Sequence, residues 1–132
     1  MDMTEHGAPK ESRHIPVARP WMGEAEASAA RRPIMAGWVT QGPEVEAFEY
    51  EFAEYCGMRH CVGVASGLDA LTLLLRALGI GAGDEVVVPS NTYIATWLAV
   101  SAVGARVLPV EPDAATYNLD PNRVEDAIGP RT

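Results

Sequence analysis

The chain is short of lysine: one, Lys10, stands against nine arginines. Basic side chains total 10 and acidic ones 18, for a formal charge of −8, so a basic nucleic-acid surface is not expected. No apolar run approaches the length of a membrane span, and the N-terminus (MDMTEHGAPKESR) has no apolar leader segment. Cysteine is scarce too. Cys56 and Cys61 match no metal-ligand spacing and have no histidine pair beside them. They read as small apolar residues at a helix end and a strand start, and a reducing, cytoplasmic setting is expected. Neither G-x-G-x-x-G after a strand nor G-x-x-x-x-G-K-[ST] is present, which argues against dinucleotide and P-loop sites. Internal repeats and low-complexity blocks are also missing.

What is there suits a globular fold: 48% of the 132 residues are hydrophobic and 21% charged. Residues 1–14 read as a polar, disordered tail and 15–132 as the folded part. The Ala-rich stretch from Glu24 to Arg32 suits a short helix that Pro33 interrupts or ends. A second helix opens at Pro43, with Glu44 and Glu46 at its positive end. Val45, Phe48, Phe52 and Tyr55 give it an apolar stripe, Glu49, Glu51 and Glu54 a solvated face, and Gly57 its stop. His60 to Ala65 (HCVGVA) reads as a buried strand and Ser66-Gly67 as a turn. Leu68, Leu71, Leu74, Leu75 and Leu78 then trace a helix face closed by Gly79. Glu85 to Pro89 reads as a second strand. A further helix capped by Asn91 or Thr92 ends near Gly104, and Ala105 to Val110 reads as a third strand. Asp120-Pro121 opens a last helix that ends at Gly129.

Alternation at this pitch implies parallel strands joined by helical crossovers, an α/β layer. The chain stops where a fourth strand is due, so the sheet is expected to be truncated. Ligands of such sheets bind outside the carboxyl ends of the strands, where two turns fall: Ala65 to Asp69 and Pro89 to Tyr93. In the first, Gly67 lets backbone approach a ligand while helical N–H groups point outward, a place for a phosphate; Ser66 adds a hydroxyl or simply caps the helix. In the second, Tyr93 is either an aromatic platform for a flat heterocycle or a core or rim residue.

Three segments carry a resemblance: GWVTQGPEVEAFEYEFAEYCG, VASGLDALTLLLRALGIGAGDEVVVPSNTYIAT and VEPDAATYNLDP. Together they resemble the DegT family of sugar aminotransferases, fold-type-I enzymes that use pyridoxal 5′-phosphate. The SGLDAL and SNTYIAT variants look most like members that aminate C-3 of nucleotide-linked 3-keto-6-deoxyhexoses. The resemblance implies that residues 15–132 are the N-terminal part of a large domain, a partial three-layer sandwich with a mainly parallel sheet. It implies that the Gly67 and Leu68 N–H groups bind the cofactor phosphate, that Ser66 flanks it and that Tyr93 stacks on the pyridine ring. Trp38, Thr40 and Gln41 fall in a loop that the family places near substrate and partner subunit. A dTDP-linked keto sugar, glutamate as amino donor and a homodimer are implied as well.

The family also needs a lysine to hold the cofactor as a Schiff base and a carboxylate against the pyridine nitrogen. Lys10 precedes the matching region, and Asp69, Asp84 and Asp113 do not match the carboxylate. The 132 residues are therefore expected to lack the Schiff-base lysine and, alone, to be inactive in transamination. Beside this stand a relative acting as a pyridoxamine-phosphate-dependent sugar dehydratase, a catalytically inactive fragment or binding subunit, and a generic sugar- or nucleotide-binding domain.

Overall fold

Among the described residues, four of the five helices end at a glycine, and the backbone there shows why. In the computed structural model, which describes residues 16–132, helices α1 (Glu24–Met35), α2 (Pro43–Tyr55), α3 (Gly67–Ala77) and α4 (Ile94–Ala102) are followed by Gly37, Gly57, Gly79 and Gly104, all at positive φ. In α3 the Gly79 N–H donates to the Arg76 carbonyl and the Ile80 N–H to the Leu75 carbonyl, both at 3.0 Å. This paired arrangement satisfies carbonyls that have no intrahelical partner, and it requires a left-handed residue between them. The expected tail at 1–14, with Lys10, lies outside the described residues.

Gly79 has φ +75° and open space where a Cβ would stand. Gly79→Ala therefore loses only the backbone preference, about 1–2 kcal/mol. Urea unfolding checks this: an unchanged midpoint would contradict it.

The chain divides into two units, one up to Phe48 and one from Glu49 to Thr132. In the first, α1 runs through Pro33 to Met35 rather than stopping there. Proline costs a helix its own N–H bond, but Pro33 sits in the last turn and its carbonyl is reused, accepting from the Trp38 N–H at 2.9 Å. Arg32 pairs with Glu44 at 3.2 Å.

In the second unit, β1 (Glu85–Pro89) and β2 (Arg106–Val110) pair in parallel, Val87 opposite Leu108, with α4 as the crossover between them. α4 packs on both strands, α3 packs on α4, and α5 (Pro121–Ala127) packs on β2. The core is Val88, Val100 and Ala105, flanked by Leu75, Ile80, Val86, Trp97, Val103 and Val107. Alanine and valine dominate α4's inner face because a helix crossing directly over two strands has little room. Trp97 reaches the strand end, its indole N–H donating to the Pro89 carbonyl at 3.3 Å. At the opposite end the Glu85 carboxylate is held by Arg106 (2.7 Å) and Arg131 (2.8 Å).

Several expectations need correction. His60–Ala65 forms no strand: among the described residues no neighbouring backbone pairs with it, and extended chain without a ladder partner is not sheet. The Gly63 N–H instead donates to Glu49 Oε1 at 2.6 Å, so Glu49 is a tether rather than part of a solvated face. The buried residue of α2 is Ala53, while Phe48, Phe52 and Tyr55 are exposed. On α3, Leu75 packs against the core, whereas Leu74 and Leu78 stay exposed because α3 is covered along one side only. Neither Asn91 nor Thr92 caps α4; Tyr93 occupies that position without a side-chain bond, and the Thr92 hydroxyl pairs with that of Thr96 at 2.9 Å. The α/β class with parallel strands stands.

Candidate functional site

The turns that open α3 and α4 are built from short-range chemistry. Ser66, extended at φ −158° and ψ 164°, is the N-cap of α3; its Oγ accepts the Asp69 N–H at 3.1 Å and donates to Asp69 Oδ2 at 2.7 Å. Of the two earlier readings of this hydroxyl, helix capping is what is seen. The Ala70 N–H donates to the Ser66 carbonyl at 3.0 Å. The N–H groups of Gly67 and Leu68, at the first two helical positions, have no acceptor in the helix and none among the described residues. Both carry the positive end of the α3 dipole. Gly67 has nothing within 4 Å of where a Cβ would stand, so a ligand can approach its backbone closely.

Tyr93 is 81% exposed and lines a cavity together with the start of α3. Ser66, Gly67, Leu68, Leu71, Tyr93 and Leu98 are among the lining of this open, mainly apolar space of about 720 Å³. The structure thus brings all four residues expected around the phosphate and ring into one place. Ile94 and Leu98 were not singled out from the sequence. Their four-residue spacing on α4 is the signal that could have placed both on Tyr93's side.

The set fits a phosphorylated, flat heterocycle such as pyridoxal phosphate. Two outward N–H donors at a helix start suit a phosphate, and the exposed phenol ring and leucines suit a planar apolar body. Asp69 adds an acidic group at the first turn, where its bond from Ser66 holds it.

Trp38, Thr40 and Gln41 lie in the N-terminal unit. Trp38 and Thr40 line an apolar cavity of about 510 Å³ there, and the Trp38 indole N–H donates to the Gln41 carbonyl at 2.6 Å. Gly42 is buried under that indole, and a Cβ on it would overlap the ring. The loop is therefore shaped by Trp38, whatever it contacts.

A second loop follows β2. Asp113 Oδ1 accepts from the Ala115 N–H (3.1 Å), the Thr116 N–H (2.9 Å) and the Thr116 hydroxyl (3.0 Å). The Thr116 backbone bond first, then its hydroxyl, then the Ala115 N–H hold the Asp113 carboxyl below the ordinary aspartate range. Among the described residues no cluster of His, Cys, Asp and Glu suits a metal, and no helix is long and apolar enough to cross a membrane. Cys56 and Cys61 are unpaired.

Parallel strands crossed by a helix, with the open start of α3 and the turn between β1 and α4 sharing one cavity, make this an α/β unit. The particular family follows from comparison: residues 20–132 match the DegT/DnrJ/EryC1/StrS aminotransferase family, and the chain belongs to it. The erythromycin biosynthesis sensory transduction protein EryC1 of Saccharopolyspora erythraea is 62% identical over 104 residues, which is 79% of this chain and 28% of that protein. A dTDP-3-amino-3,6-dideoxy-alpha-D-galactopyranose transaminase of Aneurinibacillus thermoaerophilus is 58% identical over 104 residues, 79% of this chain and 29% of that one. Spr1654 from Streptococcus pneumoniae, solved in its PLP form, superposes with a TM-score of 0.81 at 36% identity, over 89% of this chain and 30% of its own. The chain thus spans less than a third of the length of these relatives.

Proposed function

We propose that this protein serves a pyridoxal-phosphate-dependent transamination of a dTDP-linked 3-keto-6-deoxyhexose, with glutamate as amino donor, in amino-sugar biosynthesis. The observation that carries the reading is the shared cavity of Ser66, Gly67, Leu68 and Tyr93. In it the Gly67 and Leu68 N–H groups bind the phosphate, the Tyr93 ring stacks on the heterocycle, and Leu71 and Leu98 keep water from its edge. Ser66 acts indirectly: its hydroxyl is engaged with Asp69 on both sides, so it shapes the turn rather than donating to the phosphate. When bound, the cofactor supplies an electron sink for moving the amino group.

The activity of the Aneurinibacillus transaminase named above supports the sugar substrate, and the PLP form of Spr1654 supports the cofactor. Trp38, Thr40 and Gln41 are assigned to the substrate side, in a homodimeric and cytoplasmic enzyme where Cys56 and Cys61 stay reduced. Residues 11–132 contain no lysine, so this stretch contributes the phosphate and stacking residues, not the Schiff-base residue.

Pyridoxamine 5′-phosphate is the informative probe, because its amine cannot condense with Lys10. Titration of the chain, followed by cofactor fluorescence, is expected to show one saturable site from which inorganic phosphate competes the ligand. Binding that is absent, or indifferent to phosphate, would overturn the assignment.

A further inference from the structure

The turn between β1 and α4 is fastened at three points. The Ser90 N–H donates to the Val110 carbonyl at 2.9 Å, and the Thr92 hydroxyl pairs with that of Thr96. Between them Asn91 reaches across the carboxyl end of the sheet, its Nδ2 donating to the Tyr117 carbonyl at 3.2 Å. The direction of that bond is unambiguous, since a carbonyl only accepts.

Tyr117 is the anomaly of the structure. At φ +59° it is the one non-glycine residue of positive φ among those described. A bulky residue stays in that region only where its surroundings over-determine it, and such outliers gather where a function needs a fixed geometry. The surroundings here do so. Asp113 holds Ala115 and Thr116, the Tyr117 N–H donates to the Asp113 carbonyl at 2.8 Å, and the Asp113 N–H to the Asn118 carbonyl at 2.9 Å. Pro112 and Leu119 close the base as an antiparallel bridge. The loop is a rigid abutment directly after β2, and Asn91 is tied to it two residues before Tyr93.

We infer that Asn91 is a positioning residue: by donating to the Tyr117 carbonyl it anchors the Ser90–Tyr93 turn and sets the attitude of the Tyr93 ring in the cavity. The inference rests on the cofactor reading above for its consequence, but not for the anchor itself. Asn91 does not line the cavity, so its effect on a ligand must pass through Tyr93.

The test uses the whole 132-residue chain and Asn91→Leu, which keeps the side chain's size and adds no charge near the phosphate. Amide exchange at Thr92 and Thr96 is expected to accelerate in the variant, with exchange at Val100 unchanged. Affinity for pyridoxamine 5′-phosphate is expected to fall about tenfold, the worth of roughly one hydrogen bond. In a Tyr93→Ala background the same substitution should have no further effect on affinity, because the residue through which it acts is gone. Tyr117→Asn keeps the carbonyl, tolerates the left-handed backbone and should retain affinity. Unchanged exchange in the turn would overturn the anchor. An undiminished effect of Asn91→Leu in the Tyr93→Ala background would overturn its route through Tyr93. If the unaltered chain does not bind the probe, the cofactor reading falls, and the exchange measurement alone decides the anchor.

Discussion

Gly67→Pro is expected to weaken pyridoxamine 5′-phosphate binding by about 10- to 100-fold, the equivalent of one lost bond from a backbone donor to a charged phosphate. Proline removes the N–H while leaving α3 intact. The first helical position needs no intrahelical bond from its N–H and accepts the proline ring's fixed φ. The preceding residue must be extended, as Ser66 already is. Space is available, since nothing lies within 4 Å of where a Cβ would stand. Thermal stability is therefore expected to hold or rise slightly, because proline narrows the unfolded ensemble. Fluorescence titration beside a melting curve separates the two effects. Retained affinity with an intact fold would mean that the Gly67 N–H does not hold the ligand.

Val100→Asp is expected to unfold the chain or cost more than about 3 kcal/mol, since it leaves a charge buried without a partner. Val100 is 2% exposed and packs with Val88 and Ala105, where no polar group waits to receive a carboxylate. Val100→Ala, which removes only two methyl groups, should cost about 2 kcal/mol from lost burial plus the cavity left behind. Urea unfolding of both variants checks the order. An alanine variant within a few tenths of a kcal/mol of the original would show that α4 does not pack on the strands as described. Because α4 carries Tyr93 at its start, loosening it should also lower cofactor affinity.

The legible parts of the fold were those governed by neighbours in the chain. Helix ends at Gly57, Gly79 and Gly104 were readable because a left-handed stop is a property of a few consecutive residues. The span of β1 and the Asp120-Pro121 start of α5 were readable for the same reason; Asp120 Oδ1 accepts the Asn122 N–H at 3.0 Å. Ser66, Gly67 and Tyr93 could be singled out because each sits at or just ahead of a helix start with its own local signature, whereas Leu68 followed from the family resemblance.

Other features had no local signature. HCVGVA has the composition of a strand, yet strand formation needs a partner ladder that no five or six residues can specify. Glu49 looked like one more solvated acid, because its acceptor role depends on Gly63, fourteen residues away. The bond from Asn91 to Tyr117, and the positive φ it accompanies, join residues 26 apart in the chain.

By itself, the sequence determined the glycine stops of α2, α3 and α4, the parallel α/β class, the family and the Ser66-Gly67 helix start, all of which follow from short-range sterics, hydrogen bonding and motif. It also determined that residues 11–132 hold no lysine for a Schiff base. Only the tertiary structure decided that Gly67 and Tyr93 face one cavity, that Ser66 spends its hydroxyl on Asp69, and that Asn91 leans on a strained loop. Those outcomes depend on which faces α3 and α4 bury against each other and against the strands. Packing between elements distant in the chain sets that choice, and no local pattern encodes it.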